Sequence, residues 1–142
     1  MITAFNHAGL IVQDLDKAIE FYRDVIDLEV KTMMERTGEA PSKLLGYDDI
    51  HIKGAHVSPG EGPTLELIQY INPSAANRPT EERAVLGASH VAFTCEGIQE
   101  TFDHLISKGA KQLNPPQEVA PGQWRCYLQD PEGNWVELCE NL

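Results

Sequence analysis

An internal repeat is the feature that most constrains how this chain can fold. The segment FNHAGLIVQDLDKAIEFYRDVIDLEV begins at Phe5, and the segment ASHVAFTCEGIQETFDHLISKGAKQL begins at Ala88. When the two are aligned on His7 and His90, each reads as an alternating apolar strand, a short acidic turn and an amphipathic helix. The chain is therefore expected to fold as two copies of one small module.

The two copies also agree at their far ends. TLELIQY closes the first copy and NWVELCE closes the second, and each places one glutamate, Glu66 or Glu137, inside an apolar strand. Each module is predicted to run strand, helix and about three further strands, which is an α+β fold. The strands predicted after the helices are 28–35, 49–57 and 64–71 in the first copy, and 111–119, 123–129 and 134–140 in the second.

The repeat also divides the chain. We predict a first module over 1–71, a linker over 72–87 and a second module over 88–142, together forming one compact domain. The linker is the polar, proline-bearing stretch NPSAANRPTEERAVLG. The segment GEAPSKLLGYDD (38–49) is predicted to be a surface loop with one helical turn, and a lid over the site is the alternative.

The net charge and the cysteines limit which binding partners and which cellular compartment are expected. The formal net charge of −11 disfavours nucleic acid and anionic membrane surfaces as partners. The N-terminus has no basic region before its short apolar run, so neither an export signal nor a membrane span is expected. Cys95, Cys126 and Cys139 form no CxxC motif and are expected to be small buried residues, which favours a reducing cytoplasm.

Strand alternation places one histidine and one glutamate of each module on the face opposite its helix. Paired about a pseudo-twofold axis, the modules would bring together His7, Glu66, His90 and Glu137. Two imidazoles and two carboxylates suit a divalent cation, which would also compensate for burying the two acids. The alternative is that each histidine is hydrogen-bonded within the fold and each glutamate faces water at an edge.

The same residues carry a family resemblance. The chain resembles the vicinal oxygen chelate superfamily, also called the glyoxalase/bleomycin-resistance/extradiol-dioxygenase family, and FYRDVIDLEV and DPEGNWVEL are the most specific segments. The resemblance implies paired βαβββ modules that curve into an eight-stranded cup, and a homodimer. It also implies one divalent metal ion (Zn, Ni, Mn, Co, Fe or Mg) held by His7, Glu66, His90 and Glu137.

Glutamates at both 66 and 137 resemble the glyoxalase I (lactoylglutathione lyase) and epimerase branches. In these the metal acts on a carbonyl, one acid stays a ligand and the other removes a proton from the adjacent carbon. We therefore expect a lyase, isomerase or epimerase of a small oxygenated substrate. The sequence does not distinguish the base from the permanent ligand.

Several residues depart from these named branches. Ile11 stands where glyoxalase I carries an arginine that reads glutathione, and Tyr70 stands where it carries an asparagine. Methylmalonyl-CoA epimerases usually have glutamine at the position of Glu66. The substrate is therefore expected to differ from those of both enzymes.

Two alternatives remain within the superfamily. An extradiol Fe(II) dioxygenase would use His7, His90 and Glu137, and Tyr127 matches a tyrosine of its closing motif. However, residues 118–120 lack the histidine expected there, and Glu66 would be a surplus acid. Drug-sequestering resistance proteins usually lack the ligand set, whereas fosfomycin-resistance transferases share a His–His–Glu set.

Other side chains on the predicted ligand-bearing faces are candidates for a substrate pocket. Candidates of this kind are Ile11, Ile68, Tyr70, Tyr127 and Trp135. His51 and His56 are not expected to be ligands, although one of them could contact a ligand or the substrate. The segment PTEER is expected to be a solvated part of the linker.

Overall fold

The computed structural model describes residues 1–142 and contains two compact units, residues 1–77 and 78–142. Each unit is a four-stranded mixed sheet with a helix packed against it. No helix is long and apolar enough to cross a bilayer.

The first unit contains four strands and two helices. Its strands are β1 (His7–Val12), β2 (Glu29–Thr37), β3 (His51–Ser58) and β4 (Thr64–Asn72), and its helices are α1 (Leu15–Glu20) and α2 (Glu39–Leu45). The strand order is β1-β4-β3-β2, with β1 parallel to β4 and the remaining neighbours antiparallel.

The second unit repeats this topology. Its elements are β5 (His90–Thr94), α3 (Ile98–Ser107), β6 (Lys111–Ala120), β7 (Gln123–Gln129) and β8 (Trp135–Asn141). The strand order is β5-β8-β7-β6, and β5 is parallel to β8. The predicted α+β fold with eight strands is confirmed, and each strand predicted after a helix agrees with the structure to within two residues at both ends.

In both sheets, one face is buried against the helix. Leu10 and Val12 of β1 and Leu65 and Leu67 of β4 are at most 8% exposed, whereas Ile11 is 47% exposed. Further core side chains include Leu15, Ala18, Ile19, Phe21 and Tyr22 in the first unit and Ile98, Phe102, Leu105, Cys126, Leu128, Val136 and Leu138 in the second. Because side chains alternate along a strand, the opposite face of each sheet is left open.

The three cysteines differ in burial. Only Cys126 is buried, whereas Cys95 and Cys139 are half-buried, so the expectation of three buried cysteines is correct for one. Burial raises the pKa of the Cys126 thiol to about 12. The thiol is therefore protonated at neutral pH and packs as a small apolar side chain.

Local sequence fixes the start of α1 and the end of α3. The Asp14 carboxylate accepts a hydrogen bond from the backbone N–H of Lys17 at 3.1 Å, which caps the start of α1. At the end of α3, Gly109 follows Lys108 with φ +102°, and its N–H donates to the carbonyl of Ile106. Glycine takes this left-handed conformation without steric cost.

Two helical segments differ from the sequence-based expectation. The first helix is α-helical only to Glu20 and continues as a π-helical turn over Phe21–Val25, which the apolar spacing does not reveal. The predicted loop 38–49 contains a seven-residue helix, α2, between Gly38 and Gly46. Pro41 is tolerated there because the first-turn N–H groups of a helix have no intrahelical partner.

The predicted linker 72–87 is shared between the units. The unit boundary lies between Asn77 and Arg78. The Arg78 guanidinium donates to Asn134 Oδ1 at 2.7 Å and to the carbonyl of Glu132 at 3.3 Å. The second half of the linker therefore packs on the second unit.

Gly54 on the open face of the first sheet leaves no room for a side chain. A Cβ placed there would lie 2.5 Å from Met34 Cε and 2.9 Å from the carbonyl oxygen of Leu67. We expect Gly54→Ala to lower the free energy of unfolding by about 1–3 kcal/mol, as overpacking does. Gly60→Ala is the matched control, because nothing lies within 4 Å of a Cβ there. Urea denaturation giving the same loss for both variants would contradict this account.

Candidate functional site

His7 and Glu66 form a close pair on the open face of the first sheet. His7 Nε2 lies 3.2 Å from Glu66 Oε2, and the Glu66 side chain is 13% exposed. Gly9 is paired with Glu66 across the parallel strands, and a Cβ on Gly9 would lie 3.7 Å from the carboxylate. His7 Nδ1 lies 2.6 Å from Asn6 Oδ1, an acceptor, so Nδ1 is placed to donate to Asn6 while Nε2 faces the carboxylate.

A second imidazole contacts the same carboxylate. His56 on β3 is paired with Glu66 in the antiparallel ladder, and its Nε2 lies 3.5 Å from Glu66 Oε1. Its Nδ1 is held by Thr64 Oγ1 at 2.7 Å, and its ring meets that of His7 edge-on at 5.3 Å. Glu66 therefore lies between two histidines, and His56 contacts a predicted ligand, as the sequence analysis allowed for one of His51 and His56.

The second unit repeats the pair with different neighbours. His90 Nε2 lies 3.0 Å from Glu137 Oε2, and the Glu137 side chain is 14% exposed. Arg125 on β7 brings its guanidinium Nε to 3.9 Å from Glu137 Oε1. Ala92 is paired with Glu137, as Gly9 is with Glu66. Here the carboxylate lies against one imidazole and one guanidinium.

Tyr127 takes the place that His56 has in the first unit. Tyr127 is paired with Glu137 between β7 and β8, and its ring lies perpendicular to that of His90 at 5.7 Å. Burial, followed by the negative charge of Glu137 and the hydrogen bond to it, raises the pKa of Tyr127 above its usual value. Tyr127 is therefore a neutral phenol at physiological pH and donates to Glu137.

The DPEGN turn fixes the start of the strand that carries Glu137. Asp130 is 4% exposed, and its Oδ1 accepts from the backbone N–H groups of Glu132 at 3.0 Å and Asn134 at 2.8 Å. Asn134 Nδ2 adds a bond to Asp130 Oδ2 at 2.9 Å. Because these bonds close the turn directly before Trp135, they place Glu137 two residues into β8.

The linker contributes an arginine to the second unit. The Arg83 guanidinium carbon lies 4.4 Å from the Trp135 ring centroid, and Arg83 also donates to the carbonyl of Ser89. Trp135 in turn packs against Tyr127 at 5.0 Å. The expectation of a solvated PTEER segment is therefore wrong for Arg83. No spacing in the sequence marks this contact, which depends on the course of the linker.

A cavity of about 570 Å³ adjoins the pair in the first unit. Its lining includes His7 and Glu66 at one end and Arg36. The apolar part of the lining consists of Met34, Ile52, Ile68 and Tyr70 from the strands and Ala40, Pro41, Leu44 and Leu45 from α2. No residue of α2 is buried, and Leu44 is 84% exposed, so the helix forms a wall rather than part of the core.

The structure distributes the predicted pocket residues between the units. Ile68 and Tyr70 line the cavity of the first unit, and Ile11 is paired with Ile68 on the same face but lies outside the lining. Tyr127 and Trp135 adjoin His90 in the second unit.

The donor chemistry of each pair suits a divalent metal. Two ligands that each lie about 2.1 Å from one ion at a right angle are about 3 Å apart, which is the spacing of both His–Glu pairs. Imidazole nitrogen and carboxylate oxygen are common ligands of divalent transition metals. Each unit supplies one such pair, and no group of three or more His, Cys, Asp and Glu side chains is arranged to hold an ion. The pairs therefore fit a metal as incomplete ligand sets of two donors each.

Known proteins resemble the chain over almost its whole length. It is 24% identical over 140 residues to the uncharacterized protein YwbC of Bacillus subtilis, covering 97% of this chain and 98% of that one. It is 26% identical over 137 residues to a probable lactoylglutathione lyase of Synechocystis, covering 94% and 92%. A crystal structure of a glyoxalase family protein from Bacillus cereus superposes with a TM-score of 0.89 at 25% identity, covering 100% and 96%.

Relatives with other activities are similar at the same level. A 2-epi-5-epi-valiolone epimerase of an Actinomyces species is 26% identical, covering 95% of this chain and 78% of that protein. A catechol-2,3-dioxygenase of Bacillus subtilis is 27% identical, covering 96% of this chain but 41% of that protein. The lyase, epimerase and dioxygenase relatives thus have similar sequence identities to this chain. Residues 4–138 match the sequence model of the Glyoxalase/Bleomycin resistance protein/Dioxygenase superfamily, and the chain belongs to this superfamily.

Proposed function

We propose that this protein is a metal-dependent lyase, isomerase or epimerase that removes a proton from the carbon beside a carbonyl of a small oxygenated substrate. The observation that carries the proposal is the His–Glu pair at ligand spacing on the open face of both sheets. With two acids in the proposed ligand set, one can stay on the ion while the other leaves it and acts as a base. The lyase and epimerase relatives support the same reaction class.

The proposed ligands are His7, Glu66, His90 and Glu137, one pair from each unit, on one divalent ion (Zn, Ni, Mn, Co, Fe or Mg). When bound, the ion would act as a Lewis acid on the carbonyl oxygen of the substrate. The hydrogen bond from His7 Nδ1 to Asn6 supports this role, because a ligating imidazole usually donates its other N–H to an acceptor.

The neighbours of the two carboxylates favour different roles. Glu137 lies against Arg125 and the Tyr127 hydroxyl, two donors that bind the anion and would lose that contact if the acid took a proton. Glu66 has only imidazoles beside it, and His56 Nε2 lies 3.5 Å from its Oε1. We therefore assign proton removal to Glu66 and a permanent ligand role to Glu137. His56 is placed to accept the proton from Glu66.

The apolar cavity supplies the surroundings that this reaction needs. Side chains from α2 and the strand face would exclude water from the carbon that loses its proton. We propose that the protein acts in the cytoplasm as a homodimer. Free cysteines are consistent with that compartment, and the edge strands of both sheets leave backbone groups open to pairing.

An extradiol Fe(II) dioxygenase is the second candidate. Tyr127, which matches a tyrosine of that branch's closing motif, packs on His90 and donates to Glu137. The dioxygenase relative supports it. Glu66 between His7 and His56 has no place in a ligand set of two histidines and one glutamate, so we rank this candidate lower. Drug sequestration without a metal is a third.

The shared-ion proposal is tested by metal stoichiometry. We expect the wild-type protein to bind one divalent ion per chain, and both His7→Ala and His90→Ala to weaken binding by at least about tenfold. His104→Ala is the matched control, because His104 is exposed on α3. Equilibrium dialysis with elemental analysis measures the binding. If each variant instead kept half of the bound ions at full affinity, the two pairs would hold separate ions and the proposal would be wrong.

The reaction is tested by solvent exchange. Metal-loaded protein is incubated in D2O with α-keto acids, hemithioacetals and acyl-CoA thioesters, and NMR detects deuterium at the carbon beside the carbonyl. Loss of a catalytic base lowers the rate by about 10²–10⁴-fold, so Glu66→Gln should lose exchange while retaining most of its metal. Glu137→Gln should mainly lose metal, and Glu100→Gln on the exposed face of α3 should behave as wild type.

Other outcomes would identify the competing functions. Oxygen consumption with a catechol, and no exchange with any carbonyl compound, would favour the dioxygenase. Ligand binding without bound metal or turnover would favour sequestration. Exchange that survives in Glu66→Gln and disappears in metal-replete Glu137→Gln would reverse the two assigned roles.

A further inference from the structure

We propose that Arg36 binds an anionic end group of the substrate, so that the substrate is an elongated molecule with an apolar middle and a carboxylate at its far end. This inference rests on the proposed function only in taking the His7 and Glu66 end of the cavity as the place of the reacting carbonyl. The binding site itself lies within the first unit.

The strand register places Arg36 and Glu66 at opposite ends of the open face. On this face Glu66 is paired with His56, whereas Tyr70 is paired with Ile52, which in turn is paired with Arg36. Four residues along β4 separate Glu66 from Tyr70, which is about 13 Å of extended strand. A ligand that reaches both ends must therefore be elongated.

The lining between these ends is apolar. Ile68 lies between the two ends on β4, and Met34 lies on β2 two strands away, over Gly54. Leu44 and Leu45 of α2 form the opposite wall. The Tyr70 hydroxyl is the single polar side-chain group of this stretch. Such a lining favours a hydrocarbon or aromatic segment, because burying a polar group without a partner is costly.

The charge of Arg36 is not neutralised by the protein. Its Nη1 donates to the backbone carbonyl of Glu35 at 3.1 Å, and no carboxylate lies within salt-bridge distance. The other arginines are all engaged: Arg23 with Asp24 at 2.5 Å, Arg78 with Glu81 at 3.8 Å, Arg125 with Glu137 at 3.9 Å, and Arg83 over Trp135.

Among the five arginines, Arg36 alone has neither a carboxylate within salt-bridge distance nor an aromatic ring against its guanidinium. Acidic residues outnumber basic ones by 22 to 11, so an exposed guanidinium has many possible partners. A guanidinium at the edge of an apolar cavity can bind a carboxylate through two parallel hydrogen bonds. Arg36 would thus favour an anionic ligand, even though the net charge of the protein is negative.

Binding to metal-stripped protein tests the inference without any reaction. The probes are 4-phenylbutyrate and 4-phenylbutyramide, which share a shape and differ in charge. Hydrogen bonds to charged groups predict that the carboxylate binds about tenfold more tightly than the amide. In Arg36→Gln the carboxylate should bind as weakly as the amide, while amide affinity stays unchanged. Calorimetric or NMR titration measures both affinities.

Two further variants complete the test. Lys53→Gln removes a positive charge from β3 next to Ile52 but on the other face, where Lys53 lines a separate cavity, so the preference should persist. Leu44→Ser should weaken both probes equally, which locates them in the cavity. Arg36 is exposed, so Arg36→Gln should unfold in urea as the wild type does.

Three results would overturn the inference: equal affinities in the wild type, a preference that survives in Arg36→Gln, or binding of neither probe. Because no metal or turnover is involved, these results are independent of the exchange experiment. A carboxylate preference without exchange would reject only the reaction. Exchange without the preference would reject only the anion site.

Discussion

The placement of a carboxylate within a largely apolar strand is the constraint on which the site depends. Glu66 and Glu137 are each about one-seventh exposed, on the strand that pairs with the first strand of its module. A carboxylate in such surroundings needs donors or a cation. Each sheet supplies an imidazole from the parallel neighbour and a second group from the antiparallel neighbour. The residues paired with the two acids on the parallel neighbours are small, Gly9 and Ala92.

The two modules share a backbone plan but differ in the group opposite the acid. His56 occupies this position in the first unit and Tyr127 in the second, and Arg125 adds a positive charge only in the second. A repeated fold therefore produces two carboxylates with unlike surroundings. If the two pairs hold one ion as proposed, this difference would suit one acid to a fixed ligand role and the other to proton removal, because hydrogen-bond donors and charges around an acid determine how readily it takes a proton.

Much of the fold and part of the site could be predicted from the sequence, for physical reasons. Alternation and helical periodicity locate the strands, and the repeat pairs each histidine with a glutamate. The contact of His56 with Glu66 depends on the register between β3 and β4, which alternation alone does not determine. Arg83 reaches Trp135 through the path of the linker. The cavity wall comes from α2, whose seven residues are too few for a reliable periodic pattern.

Helix α2 has no counterpart between β6 and β7 of the second unit, and none of its residues is buried. Its sequence is therefore little constrained by core packing, while four of its side chains line the cavity beside His7 and Glu66. Changes of shape or polarity there should alter which molecules are accepted at little cost to the scaffold. If the cavity binds the substrate as proposed, α2 is a segment where new substrate preferences can arise, by natural divergence or by directed evolution, without disturbing the core.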